Sequence, residues 1–145
     1  MMNGTDIKKI LDEKGVFVST TSGVSMMPML RDRRDTIVIK PCAEKPKKGD
    51  VVLYVNNGCY ILHRIIGERE DGYVIRGDNC IAKEFGITND MILGKLCEFY
   101  RGERRVDMSK LSYRAYSRAI LWLNPIITLA KRVKHKLFPK RSSVK

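Results

Sequence analysis

The chain has 145 residues, of which 43% are apolar and 30% are charged. A chain of this length can bury a core without disulfide support, so one globular unit is the simplest expectation. The four cysteines lie 17, 21 and 17 positions apart, without a close pair, and this spacing argues against a zinc site. We therefore predict neither a metal nor another cofactor.

The formal net charge of +12 is concentrated at one end of the chain. Residues 1–100 carry 15 basic and 14 acidic residues, whereas residues 101–145 carry 13 and 2. The basic character therefore belongs to a carboxy-terminal tail and not to the rest of the chain.

The first ten residues are polar and basic, without the apolar segment of a secretory signal. We therefore expect a cytoplasmic protein, with peripheral attachment at the inner face of the membrane as a further option. In that compartment the four cysteines would stay reduced and pack as small apolar side chains.

The elements are predicted in chain order, beginning with a short amphipathic helix at residues 6–14. Ile7, Ile10 and Leu11 share one face of this helix, and Gly15 stands at its end. Runs of β-branched and aromatic residues then predict six strands, at residues 16–21, 36–40, 51–55, 60–67, 73–76 and 91–100.

Turn sequences support hairpins between these strands. Asn-Asn-Gly at residues 56–58 and Glu-Asp-Gly at residues 70–72 are typical hairpin turns, because Asn and Gly tolerate positive φ. The fold class that we predict is mainly β, an antiparallel domain over residues 1–106 followed by a basic helical tail over residues 107–145.

The tail is predicted to be helical at residues 111–123 and 126–137, and Pro125 is expected to kink or divide the helix between them. Its apolar core of about twelve residues is shorter than the roughly twenty that a membrane-spanning helix needs. Two interpretations remain open. Residues 111–140 could lie on an anionic membrane surface, or the helix could cover the β domain while its cations are solvated.

Four short segments draw attention by their order along the chain. They are SGVSMMPML at residues 22–30, KGDVV at residues 48–52, LHRI at residues 62–65 and RGDN at residues 76–79. Each one alone has a structural explanation: a buried serine, a turn before a strand, a strand histidine and a second turn.

Together and in this order, the four segments resemble the signal peptidase I and self-cleaving SOS-repressor superfamily of serine peptidases. The resemblance covers about residues 16–100. It implies that family's antiparallel β domain, here with a short amino-terminal helix and a basic carboxy-terminal helical extension. Because about fifteen residues precede the first predicted strand, the chain resembles a variant without the amino-terminal membrane anchor of signal peptidases.

The resemblance also implies catalytic roles. Ser25 corresponds to the nucleophile, and His63 stands where bacterial signal peptidases have a lysine base. The His-Arg pair is similar to the endoplasmic-reticulum and archaeal enzymes. A carboxylate that orients His63 would be Asp78 or, as the alternative, Glu84, which lies near the position of an aspartate in the endoplasmic-reticulum type.

Many relatives have a hydroxyl residue two positions before the nucleophile, where this chain has Gly23. We therefore expect an oxyanion hole made of backbone N–H groups, those of Ser25 and Val24. Met26 and Met27 would line the substrate cleft, with core packing as the alternative for both.

The function that follows is a serine endopeptidase of the Ser-His type, acting on a peptide or precursor protein. The alternative is a non-catalytic binding module that uses the basic tail on anionic membrane or nucleic acid. Nucleic acid is the weaker partner, because only Tyr113, Tyr116 and Trp122 interleave with the basic residues of the tail.

Overall fold

The computed structural model describes residues 4–137. Along the chain, a helix comes first, the strands of one antiparallel β-sheet follow, and a second helix comes last. The helices are α1 (Gly4–Lys14) and α2 (Leu111–Leu137). The strands are β1 (Phe17–Thr20), β2 (Asp35–Lys40), β3 (Val51–Asn56), β4 (Cys59–Arg69), β5 (Gly72–Arg76), β6 (Glu84–Ile87), β7 (Ile92–Arg101) and β8 (Arg104–Asp107). A single 3₁₀ turn, Asn89–Met91, precedes β7 in this part of the chain.

The strand order in the sheet is β1-β2-β7-β3-β4-β5-β6, and β8 pairs with β7. One edge of β7 runs along β2, while its other edge is shared by β3 and then β8. Register shifts in β2, β3 and β4 interrupt the ladders, and such bulges increase twist. The result is a curled sheet that brings the ends of distant strands near one another.

Both faces of the sheet are covered around β3. Val51 and Leu53 belong to one core, which also contains Ile7 of α1 and Met26. Val52 and Tyr54 point the other way, into a second core. A strand that is buried on both faces explains why the sequence VVLYV is apolar without alternation.

The prediction of a mainly β, antiparallel fold with a helix near each end is confirmed. Each of the six predicted strands is present, with bounds that differ by no more than a few residues. β6 and β8 were not predicted. The sequence EFGI contains a charged residue and a glycine, and RRVD is mostly charged, so neither has a strand-like alternation.

Pro125 does not divide the tail into two helices, because α2 continues through it. A proline removes one backbone donor, but buried residues on both sides of it, such as Ile120 and Thr128, hold the helix against the sheet. In the described part of the chain, neither helix combines the length and apolar character that crossing a membrane requires. Residues 138–140 of the predicted membrane-contacting segment, and residues 138–145 of the predicted tail, lie outside the described residues.

The four cysteines are free thiols. Cys42, Cys80 and Cys97 are half-buried, whereas Cys59 is exposed at the β3–β4 turn. The expectation that all four pack as small apolar side chains was therefore wrong for Cys59.

Candidate active site

His63 lies on β4, directly opposite Val52 of β3, and its side chain is buried. Tyr54 is two residues beyond Val52 and therefore projects from the same face. His63 Nδ1 lies 3.3 Å from the Tyr54 hydroxyl and 3.3 Å from Glu84 Oε1. The imidazole is thus oriented by a tyrosine of β3 and a carboxylate of β6.

This arrangement selects one tautomer of His63. Tyr54 Oη donates to Glu84 Oε1 at 2.7 Å, so the Tyr54 oxygen and the carboxylate are both acceptors for a proton on Nδ1. With Nδ1 protonated, Nε2 carries the free lone pair. Burial lowers the pKa of His63 below its ordinary value, and the nearby Glu84 charge opposes that shift only in part. The ring is therefore neutral near pH 7, as a general base must be.

Glu84 is itself fixed by two side chains of β3. Tyr54 binds Oε1, and Asn56 Nδ2 donates to Oε2 at 3.0 Å. Burial and the Glu84 carboxylate together raise the pKa of Tyr54, so its proton remains in place. The structure thus brings Glu84, the alternative carboxylate of the sequence analysis, to His63.

Asp78, the first choice for that role, has a different partner. Arg64 Nε and Nη2 donate to the two Asp78 oxygens, each at 2.7 Å, and both side chains are fully buried. Burial alone would lower the pKa of Arg64, but the hydrogen bonds and charge of Asp78 raise it above its ordinary value. Both carboxylate oxygens of Asp78 are therefore directed at a permanent cation and not at His63.

Arg64 connects all four sequence segments that carry the resemblance. Besides Asp78 of RGDN, it contacts the Gly49 carbonyl of KGDVV at 2.9 Å and Met29 Sδ of SGVSMMPML at 3.3 Å. It also donates to Tyr113 Oη and Ser117 Oγ of α2, both at 2.9 Å. The four segments are thus neighbours in space because one buried guanidinium joins them.

Gly77 marks the place where the Ser25 loop meets His63. A Cβ at this position would lie 2.7 Å from the Ser25 carbonyl oxygen, 2.8 Å from Cys80 Sγ and 2.9 Å from His63 Nε2. The Ser25 carbonyl oxygen and His63 Nε2 are therefore no farther apart than the sum of their distances from this Cβ position. Only a glycine allows so close an approach, and Nε2 of His63 faces the Ser25 loop across it.

The loop that carries Ser25 is held by Asn79. The Asn79 N–H donates to the Ser25 carbonyl at 2.8 Å, and Asn79 Nδ2 donates to the Val24 carbonyl at 3.0 Å. Both peptide groups that flank Ser25 are therefore fixed. Within the described residues, the N–H groups of Val24 and Ser25 donate to no protein acceptor, and no hydrogen bond joins the Ser25 hydroxyl to His63.

Ser25 lies at the wall of an apolar cavity of about 410 Å³. Residues of β1, of the first half of β4 and Ile7 of α1 line the cavity, which is open to solvent on one side. Met26 lines it and is 4% exposed, so this side chain belongs to both the cleft and the core. Met27 is 38% exposed and is not part of the lining, so the two methionines differ in position.

No protein-family model matches this chain, and no curated protein matches it with significant similarity. The functional assignment therefore depends on the geometry of the site and on the resemblance of the four short segments.

Sequence reasoning did not identify Tyr54, Asn56, Gly77 and Asn79 as parts of the site. Tyr54 and Asn56 share one face of β3 with Val52, the residue opposite His63, so a known β3–β4 register would have placed Tyr54 beside His63. The roles of Gly77 and Asn79 depend on contacts with a loop more than fifty residues away, for which a single sequence contains no signal.

Proposed function

We propose that this protein is a serine endopeptidase in which Ser25 is the nucleophile, His63 the general base and Glu84 the carboxylate that orients His63. The observation that carries the proposal is the environment of the His63 ring. Its Nδ1 has Glu84 and Tyr54 as hydrogen-bond partners, while its unprotonated Nε2 faces the Ser25 loop across Gly77. A buried histidine with a purely structural role would not need an unprotonated nitrogen beside the backbone of the Ser25 loop.

The reactants are the chain, its peptide substrate and water. Nε2 of His63 accepts the proton of the Ser25 hydroxyl as Oγ attacks the scissile carbonyl, and the same proton then passes to the leaving amine. Water then attacks the carbonyl of the acyl-enzyme while Nε2 accepts a proton from it, and this proton returns to Ser25 Oγ as the ester C–O bond breaks and the carboxylic acid leaves. The unengaged N–H groups of Val24 and Ser25 are suited to the charge that develops on the carbonyl oxygen.

The substrate that fits this site is an extended peptide. In the described sheet β1 pairs with β2 alone, and β5 pairs with β4 only from Arg64 onward. The backbone of β1 and the first half of β4 are therefore available on either side of the cavity for strand addition. A small or apolar side chain of the peptide would enter the cavity next to Ser25.

The same observations favour membership in the signal peptidase I and SOS-repressor superfamily. The segments that carry this resemblance surround Arg64 in one cluster, and the Ser-His-carboxylate order matches the endoplasmic-reticulum type, with Glu84 as the carboxylate. The specific fold of that superfamily is part of the proposal. Asp78 then serves as the partner of Arg64.

Cleavage of a mixture of synthetic peptides tests this function. New peptide termini should be produced by the wild-type protein and by the Ser112→Ala variant, which changes an exposed serine of α2. The Ser25→Ala variant should produce none while keeping its circular dichroism spectrum. Full cleavage by Ser25→Ala would contradict the proposal, and absence of cleavage by the wild type would favour the non-catalytic binding module.

A further inference from the structure

Helix α2 packs on the β-sheet by one face only. Its buried residues, Ser117, Ile120, Asn124 and Thr128, recur every three or four positions and so form one side of the helix. Ser117 bonds the Gly49 carbonyl, and Thr128 accepts a hydrogen bond from Arg76. The helix is thus fixed along much of its length, and these contacts determine which of its sides faces the sheet.

The opposite side of α2 carries an exposed apolar stripe, which we define as Trp122, Ile126, Leu129, Val133 and Leu137. At 3.6 residues per turn, the first four of these residues lie within about 40° of one line along the helix. Trp122 is 75% exposed and Ile126 is 59% exposed. Five large apolar side chains in one exposed row need an explanation that the fold itself does not supply.

Cations border this stripe, and no acidic residue follows Asp107 in the sequence. By helical spacing, Arg118, Arg132 and Lys136 stand next to the stripe, each three or four positions from one of its members. None of these three side chains forms an ion pair with another described residue. The exposed face of α2 therefore combines an apolar centre with uncompensated positive charge.

This combination fits a bilayer surface better than it fits nucleic acid. A phosphate backbone would engage the cations but would leave the aliphatic residues between them without a partner. At an anionic membrane the apolar residues enter the region between headgroups and acyl chains while the cations meet lipid phosphates. Tryptophan also prefers that interface. The stripe is about 22 Å long, a length suited to lying in the membrane plane.

We propose that α2 is an in-plane membrane-binding helix that docks this protein on anionic lipid through the apolar stripe. The proposal does not depend on the peptidase assignment, since binding is measured without substrate. It has one structural consequence for the site. Lys131, on the packed face of α2, donates to the Asn79 carbonyl at 2.8 Å, so the docked helix would also hold the loop that fixes Ser25.

Trp122 is the only tryptophan, so its fluorescence reports directly on the stripe. The full chain is titrated with vesicles of phosphatidylcholine containing phosphatidylglycerol, and with pure phosphatidylcholine vesicles for comparison. We expect a blue shift of the emission and co-sedimentation with the anionic vesicles, both weakened by added salt. Quenching by brominated acyl chains should place the indole at the interface.

A matched pair of variants separates the contribution of the apolar stripe to membrane binding from the effect of adding one negative charge anywhere on the protein. Ile126→Glu and Val18→Glu make the same chemical change at similar exposure, 59% and 55%, but only Ile126 belongs to the stripe. Partitioning onto anionic vesicles should weaken about tenfold or more in Ile126→Glu and stay near the wild-type value in Val18→Glu. Circular dichroism confirms that both variants are folded.

Three results would overturn the proposal. The first is an unchanged Trp122 spectrum with anionic vesicles, and the second is equal loss of binding in the two variants. The third is an oligomer, or a complex with nucleic acid or an acidic protein, in which Trp122 is already shielded from solvent and the protein does not bind vesicles.

Discussion

His63 and Arg64 are neighbours in β4, and because strand side chains alternate, they serve opposite faces of the sheet. His63 faces Tyr54 and Glu84, while Arg64 faces Asp78 and α2. The two carboxylates that the sequence offered, Asp78 as the first candidate and Glu84 as the second, thereby contact different residues of this pair. Glu84 is available to tune a titratable imidazole, whereas Asp78 neutralises a buried guanidinium.

Replacement of Glu84 by glutamine should slow the reaction of Ser25 and shift its pH dependence. The amide can donate to His63 Nδ1 and so favour the wrong tautomer, and we expect a loss of about 10²- to 10⁴-fold in the rate. The Glu84 charge raises the pKa of His63, so its removal lowers that pKa further. The acid limb of the pH–rate profile, which lies below about pH 6.5 in the wild type, should therefore move to lower pH.

The measurement is the rate constant of inactivation by a fluorophosphonate as a function of pH. Glu68→Gln, which removes an exposed carboxylate paired with Lys45, is the control and should leave both rate and limb unchanged. A limb that moves to higher pH in Glu84→Gln would contradict the assigned role.

Gly77 tests the approach of the Ser25 loop to His63. In Gly77→Ala the new methyl group would clash with the Ser25 carbonyl and with His63 Nε2, both closer than 3 Å. The loop must move, so inactivation by the fluorophosphonate should be lost at a stability cost of about 1–3 kcal/mol. Gly67→Ala is the matched control, because its methyl group would meet Val74 Cβ at an ordinary 4.0 Å. Normal reactivity of Gly77→Ala would show that this close approach is not needed.

At the scale of elements, Arg64 joins β4 to α2 and to three loops. Arg64→Met leaves the Asp78 carboxylate buried without its cation, which typically costs about 3–5 kcal/mol of unfolding free energy. Arg64→Met combined with Asp78→Leu should recover part of that loss, since no unpaired charge remains. Both effects are measured by urea denaturation.

The exposed pair Lys8–Asp12 on α1 provides the comparison. Lys8→Met should change the unfolding free energy by less than about 1 kcal/mol, because solvent screens this pair. If Arg64→Met were no more destabilising than Lys8→Met, the connecting role of Arg64 would be refuted.

For the whole molecule, local sequence signals were sufficient for much of the fold. β1, β2, β3, β4, β5 and β7 were predicted because β-branched and aromatic runs between turn residues are strong signals. β6 and β8 were missed, since each is held by its neighbour in the sheet more than by its own composition. The continuity of α2 through Pro125 was not predicted, because the packing that holds the helix there is tertiary.

The site residues likewise fall into those that the sequence predicted and those that it did not. Ser25 and His63 were chosen from short segments in a characteristic order, which a sequence displays directly. The choice between Asp78 and Glu84 could not be made, because it depends on which face of β4 each carboxylate meets. The roles of Gly77 and Asn79 depend on the curl of the sheet, which brings the RGDN loop against the loop of Ser25.

Covalent labelling is the most direct test of whether Ser25 is a nucleophile activated by His63. The protein is treated with a fluorophosphonate, digested and mapped by mass spectrometry, beside the His63→Gln variant. We expect an adduct on Ser25 in the wild type and its loss in His63→Gln. An adduct on another serine, or labelling of Ser25 at the same rate in both proteins, would contradict it.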